Sequence, residues 1–180
     1  MSYFDTYGPF DVCRTEGTVS GKQKQFWSDV KENAGPLAEA IGCYLFCIRH
    51  GTKYRPWYVG MTAAKTGFKG EVFQPHKLSI YNECLGKQRG AAVMFLFPLI
   101  TDGEDYQFSR ATKSKRQEIA RLETTLMGFA YRRNPEISNV RDMKFLRNIE
   151  VLGLLGKRRG RPFREAVEVR RALLGARSTP

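Results

Sequence analysis

Two residue types in this 180-residue chain, phenols on a predicted hairpin and a carboxylate on the apolar side of a predicted helix, could together do chemistry on a phosphate. Tyr44 and Tyr58 supply the phenols and Glu123 the carboxylate. Hydrolysing a phosphodiester requires a nucleophilic water, relief of the charge that grows on the scissile phosphate and help for the leaving oxygen. A carboxylate that holds a divalent cation, phenols that orient water or phosphate, and a cation beside them answer those needs.

Glu123 stands out by its position. The stretch from about Ser114 to Arg132 reads as a helix. Counting 100° per residue from Ile119, the residues Phe129, Leu122, Leu126, Ile119, Ala130, Met127 and Ala120 fill one apolar arc, and Glu123 falls inside it at about 40°. Arg121, Thr124 and Gly128 lie opposite. A carboxylate in a core-facing stripe costs several kcal/mol unless something pairs with it. Glu123 is therefore either half of a structural ion pair, a residue at the rim of the stripe, or a metal ligand.

The tyrosines belong to a pair of short strands. Gly42 to Ile48 is apolar on both alternating faces, as a strand covered on both sides should be. Gly51 to Pro56 reads as a turn, and Trp57 to Met61 resumes β-rich apolar character. An antiparallel hairpin would bring both hydroxyls to one mouth of the sheet; the plain alternative is two aromatic residues of the core or its rim.

Around this hairpin the other elements follow from pattern. Residues 1–19 lack a period and read as an irregular arm, although Tyr3, Phe4, Tyr7 and Phe10 suggest that it packs down. A helix from Ser20, with Ser20 as N-cap and Gln23 completing a capping box, carries Phe26, Trp27 and Val30 on one side and breaks at Gly35-Pro36. A helical turn covers Leu37 to Ile41. Thr62 to Gly67 is a small-residue loop, and Pro75 opens a helix to Leu85 with Leu78, Tyr81 and Leu85 on one side. The unbroken apolar run Ala91 to Ile100 reads as a third, buried strand, followed by a polar loop from Asp102 to Lys115.

Composition points to a folded protein that meets a polyanion. Hydrophobic residues make up 42% and aromatics 12%, and the formal charge is +12. A basic surface of that size attracts nucleic acid whatever its fold, with charge-based solubility as the bland alternative. Residues 140–180 hold eleven Lys or Arg against four Asp or Glu. There, Arg159-Gly160-Arg161-Pro162 resembles the core of an AT-hook, which slides arginines into a narrow minor groove; a basic linker is the other reading. Phe163 to Leu174 reads as an amphipathic helix. No window approaches the roughly 18 apolar residues of a membrane span, so a soluble, cytoplasmic protein is expected. Cys13, Cys43, Cys47 and Cys84 form no CxxC pair and read as reduced core thiols, making a structural zinc unlikely.

Gly42-Cys43-Tyr44, followed after a turn by Tyr58-Val59-Gly60, resembles the two signature tripeptides of the GIY-YIG nuclease superfamily, with cysteine for the usual aliphatic residue and a slightly longer spacer. The resemblance runs over roughly residues 40–140. It implies an α+β fold, a small mainly antiparallel three-stranded sheet flanked by helices, with helical N- and C-terminal extensions: 1–40 as arm and helix, 41–140 as nuclease core, 141–180 as a basic extension. It also implies a phosphate-binding arginine after the second tripeptide. No arginine lies between Gly60 and Arg89; Lys69 most nearly takes the place, with His76 and Lys77 close behind. Lysine is a mobile point charge where guanidinium grips two oxygens. Glu123, in Arg121-Leu122-Glu123-Thr124-Thr125-Leu126, looks like the family's single ligand for Mg²⁺ or Mn²⁺. Asn139, with Asn134 as the alternative, matches its asparagine.

On that resemblance the expected activity is metal-dependent endonucleolytic cleavage of DNA, with RNA as the other candidate polyanion. Tyr44, helped by Lys69, would take a proton from water, and Tyr58 would orient the phosphate or the water. Lys69 or His76 would balance charge, and Asn139 would position its neighbours. Lys65, Lys77, Arg158, Arg159, Arg161 and Arg164 would contact nucleic acid. A homodimer is one route to a double-strand cut. The alternative is a catalytically weakened module of the same fold that binds nucleic acid for a partner.

Overall fold

The computed structural model describes residues 2–101, 107–109, 111–138 and 169. Contacts divide the chain into two units, Met1–Asn139 and Val140–Pro180. In the second unit only Val169, helical and exposed, is described. The expectations for Asn139, for Arg158, Arg159, Arg161 and Arg164, and for a helix over residues 163–174 lie outside the described residues.

The N-terminal arm is not irregular. Strands β1 (Tyr3–Phe4) and β2 (Tyr7–Asp11) pair antiparallel with the later strand Ala91–Ile100, and β3 (Arg14–Thr15) and β4 (Thr18–Val19) form a small hairpin. An open sheet edge carries unpaired backbone groups, and the arm satisfies several of them: Asp5 N donates to Pro98 O at 3.1 Å and Val12 N to Ala92 O at 2.9 Å. Phe10 is buried against the Phe26 ring, 5.8 Å away edge-on. Helix α1 (Lys24–Asn33) starts later than expected, and no capping box forms. Gln23 is buried; its amide exchanges two hydrogen bonds with the Cys13 backbone, at 2.8 and 2.9 Å, and bonds Ser20 O at 2.9 Å. It staples the arm rather than capping the helix. A 3₁₀ turn at Leu37–Glu39 leads into the sheet.

Strands β5 (Gly42–His50) and β6 (Lys53–Thr62) form the hairpin, longer than expected because only Gly51 and Thr52 turn it. Gly51 has φ +55°, the left-handed conformation that a two-residue hairpin turn needs. Pro56 sits within β6, tolerated because β6 ends the sheet order and a register shift lies beside it. Two short helices follow, α2 (Gly67–Glu71) and α3 (Pro75–Lys87), and then β7 (Ala91–Ile100), which pairs antiparallel with β5. Helix α4 (Lys113–Arg133) closes the unit, its first turn capped by the Thr112 hydroxyl. The class is α+β: a curled antiparallel sheet in the order β1-β7-β5-β6, with β2 also on β7, and four helices among the described residues. No helix among them is long and apolar enough to cross a membrane.

The period of two along β5 divides the core. Tyr44, Phe46 and Ile48 face α1, α2 and α3 through Phe26, Val30, Phe68, Val72, Tyr81 and Cys84. Cys43 faces the other way and packs with Ile41, Leu99 and Ile119 of α4, Leu122 and Leu126 adding to that layer. The helical arc expected of α4 holds for Ile119, Met127 and Ala130, which are buried, whereas Phe129 at its margin is 65% exposed.

Both tripeptide glycines are forced by close approach. A Cβ on Gly42 would strike the Phe97 carbonyl, and one on Gly60 would strike the Tyr44 ring, which lies across the strand pair Tyr44↔Gly60. Gly60→Ala is expected to displace the Tyr44 ring and cost about 1–3 kcal/mol of stability, read as a lowered urea midpoint with an unchanged slope. An unshifted midpoint would mean that the ring is free to move away.

Candidate active site

The β5–β6 register sets Tyr58 opposite Phe46 and Gly60 opposite Tyr44, so both tyrosines stand on one face of the sheet. Their ring centroids are 6.1 Å apart. Tyr81, from α3, packs against both Tyr58 and Phe46. The two phenols stand together as expected, but within the core: Tyr44 is 0% and Tyr58 8% exposed.

The cation beside the two phenols is Lys77, not Lys69. Pro75 begins α3, and Lys77 lies in its first turn with its side chain turned inward beneath the tyrosines. Its Nζ donates to Tyr58 Oη at 2.6 Å and meets Glu71 Oε1 at 3.4 Å. It stands 5.0 Å from the Tyr58 ring centre and 5.9 Å from that of Tyr44. An ammonium this buried needs both a counter-ion and hydrogen bonds to offset its lost hydration. Glu71 supplies the first and Tyr58 the second. Lys69 lies in the middle of α2 on its exposed side, and Lys65 and His76 are exposed as well. Lys69 therefore does not reach the tyrosines; Lys77, expected as a nucleic-acid contact, does.

Tyr44 is left in an unusual state. Its buried Oη makes no hydrogen bond of ideal geometry and lies against the Tyr81 hydroxyl, with which it shares a loose one. The neighbouring Tyr81 hydroxyl donates to Val72 O at 2.9 Å, so its own proton is committed elsewhere. Burial, the Tyr81 and Tyr58 phenols and the Glu71 carboxylate together raise the Tyr44 pKa well above the ordinary phenol value. A phenol so placed stays neutral. The role expected of Tyr44, a base that deprotonates water, needs cations to pull that pKa back down; in the neutral form Tyr44 donates a hydrogen bond.

Glu123 approaches the sheet from α4, which packs along β6. It is partly exposed rather than centrally buried, and it sits one turn beyond Ile119, whose carbonyl meets the Cys43 Sγ at 3.3 Å. Its carboxylate adds to the burial that raises the Cys43 thiol pKa. Because Cys43 and Tyr44 point to opposite faces, Glu123 stands toward the Cys43 side, and the carboxylate acting on Tyr44 is that of Glu71. The expected single cleft of Glu123, two phenols and Lys69 is thus replaced by a cluster of Tyr44, Tyr58, Tyr81, Lys77 and Glu71. Glu123 sits along the edge strand β6. No group of three or more His, Cys, Asp or Glu able to hold a metal ion forms among the described residues.

Asn134, the alternative to Asn139, is a bracket at the end of α4. It is fully buried; its Nδ2 donates to Pro56 O at 2.7 Å, and its Oδ1 accepts from Arg55 Nη2 at 2.9 Å and from Glu136 N at 3.2 Å. Sequence reasoning passed over Glu71 and Arg55 altogether, and a partial signal existed for the first: Glu71 precedes Lys77 by six residues across a proline-started helix, close enough to fold back on it. Cys13, expected in the core, is exposed, whereas Cys43, Cys47 and Cys84 are buried and free; burial pushes the Cys47 thiol up to about 12. Compared with family models, curated proteins and solved structures, the chain finds no match.

Lys77→Met should destabilise the unit by about 1–3 kcal/mol, since it strands Glu71 and the Tyr58 oxygen. Adding Glu71→Gln should recover part of the loss in a double-mutant cycle followed by urea unfolding. Strict additivity of the two would show that the pair is not coupled.

Proposed function

We propose that the protein is a nucleic-acid-cleaving enzyme of the GIY-YIG type, hydrolysing phosphodiester bonds in DNA with Mg²⁺ or Mn²⁺. The observation that carries this reading is the Lys77 ammonium held at 2.6 Å from Tyr58 Oη, on the sheet face that also carries Tyr44. A phosphate oxygen reaching these groups would meet a cation and two phenol donors on one rigid sheet face, an arrangement suited to growing negative charge. Lys77 would exchange its longer contact, to Glu71, for the phosphate while keeping Tyr58 oriented. With its oxygen accepting from the lysine, Tyr58 would turn its own proton toward the substrate. Tyr44, neutral across the working pH range, would donate rather than abstract.

Glu123 fits the metal by donor chemistry. Mg²⁺ takes hard oxygen ligands and commonly uses one or two carboxylates, filling its other positions with water and substrate phosphate. A single half-exposed carboxylate along β6 is consistent with that habit. Because Glu123 stands on the Cys43 side of the sheet, such an ion would neutralise phosphate charge and lower the pKa of a bound water only for a substrate that also reaches round the edge strand β6. DNA is favoured as substrate by the net charge of +12.

The depth of the tyrosines favours a second reading, a binding module in which the Lys77–Glu71 pair is purely structural. Nicking of supercoiled plasmid separates the two. Wild type should nick with Mg²⁺ or Mn²⁺, and Tyr58→Phe and Glu123→Gln should each lower the rate roughly 10²-fold or more while plasmid binding persists. Binding without nicking by wild type, under either metal, would leave the module reading in its place.

A further inference from the structure

At the opposite end of the hairpin from the tyrosines lies a second basic feature. A groove of about 390 Å³ is lined by His50, Lys53, Tyr54, Arg55, Gln88 and Arg133, with Ile48 at its floor. The register pairs Ile48 with Arg55 and His50 with Lys53, so these side chains share the face of β5 and β6 that carries Tyr44. Gln88 comes from the end of α3 and Arg133 from the last turn of α4.

Arg55 shapes the groove and is itself held fast. It donates to Gln88 Oε1 at 2.7 Å, Asn134 Oδ1 at 2.9 Å and Glu136 Oε2 at 2.7 Å, and its guanidinium lies 5.0 Å from the Trp57 ring centre. One cation thereby ties together β6, the end of α3 and the segment after α4. Its charge is opposed by Glu136. Lys53, Arg133 and His50 are exposed around it, and Tyr54 adds a ring braced against Phe95. The groove is built on a fixed frame, and its Lys53 and Arg133 charges face solvent.

We propose that this groove is a docking site for the phosphate backbone of nucleic acid, engaging the strand away from the cleaved bond. The inference rests on the nucleic-acid reading of the tyrosine site and adds a second contact to it. Six strand residues separate Tyr44 from His50, which is about 20 Å at the rise of an extended strand. Phosphates along one strand recur about every 3.4 Å of helix axis, so the groove meets the backbone about six base pairs from the reacting phosphate. It acts as a measuring contact: it strengthens binding to substrates that reach it and leaves the chemical step alone.

The test compares wild type with the double variant Lys53→Ala/Arg133→Ala, both positions being exposed and outside the frame that Arg55 holds. Fluorescence anisotropy on a labelled duplex long enough to span both sites should show roughly ten-fold or more loss of affinity for the variant. Its slope of log affinity against log salt should be shallower by about two. A duplex that ends before the groove should bind both proteins equally. Equal affinity and slope on the long duplex, with nicking still lost in Tyr58→Phe, would overturn the groove and leave the nuclease reading standing. Failure of wild type to bind any duplex would overturn both. Loss of binding to phosphatidylserine vesicles without loss on duplex would assign the groove to a lipid surface and overturn it as a nucleic-acid dock.

Discussion

A buried ammonium is the constraint on which the tyrosine face depends. Beneath the two phenol rings Lys77 loses hydration that the Glu71 carboxylate and the Tyr58 oxygen offset. Satisfying both fixes where α2 ends, where α3 begins and which way the Tyr58 ring turns. The same demand links three chain segments that are otherwise joined by loops. Removing apolar contacts would loosen this face gradually; removing one partner of the lysine leaves a charge stranded in the interior, a costlier fault.

The sheet was legible where apolar residues run unbroken. Ala91 to Ile100 and Pro75 as a helix start coincide with the observed elements, and the helix expected from about Ser114 to Arg132 is observed as Lys113–Arg133, because length, proline chemistry and helical period each leave a local trace. The strands at Tyr3–Phe4 and Tyr7–Asp11 left none. They are short, interrupted by Gly8-Pro9, and exist because β7 offers an edge to pair with, which is information carried by a segment ninety residues away. Gln23 misled for a related reason. Its type and spacing suit a capping box, yet a buried side chain follows the strongest set of backbone partners, and the Cys13 peptide offered two bonds.

The site was legible in its residue types and less so in its pairings. Tyr44 and Tyr58 share a face because the register slips by one residue between Cys47↔Pro56 and Phe46↔Tyr58; alternation from the two-residue turn alone would set Tyr58 opposite Leu45, on the other face. Choosing among Lys69, His76 and Lys77 needed the direction of each side chain. Helix α2 is too short to show a period, so nothing in the order of residues told that Lys69 turns out while Lys77, in the first turn of α3, turns in. The Glu123 angle set it between the buried Ala130 and Met127, yet its side chain is partly exposed, and the angle alone does not say which face of the sheet the helix covers; that is set by Ile119 against Cys43.

The arrangement of the sheet margins bears on assembly. On one side β1 is two residues long, and β2 carries Pro9 and a register shift, so that border is too short and too uneven to recruit another strand. On the other side α4 runs along β6, and Ser138 N bonds the Trp57 carbonyl at 2.9 Å. Neither border invites continuation of the ladder from molecule to molecule. If two copies ever cooperate on the two strands of a duplex, they would have to meet through helices, loops or the duplex itself, and the geometry of such a pair would be set by the substrate as much as by the protein.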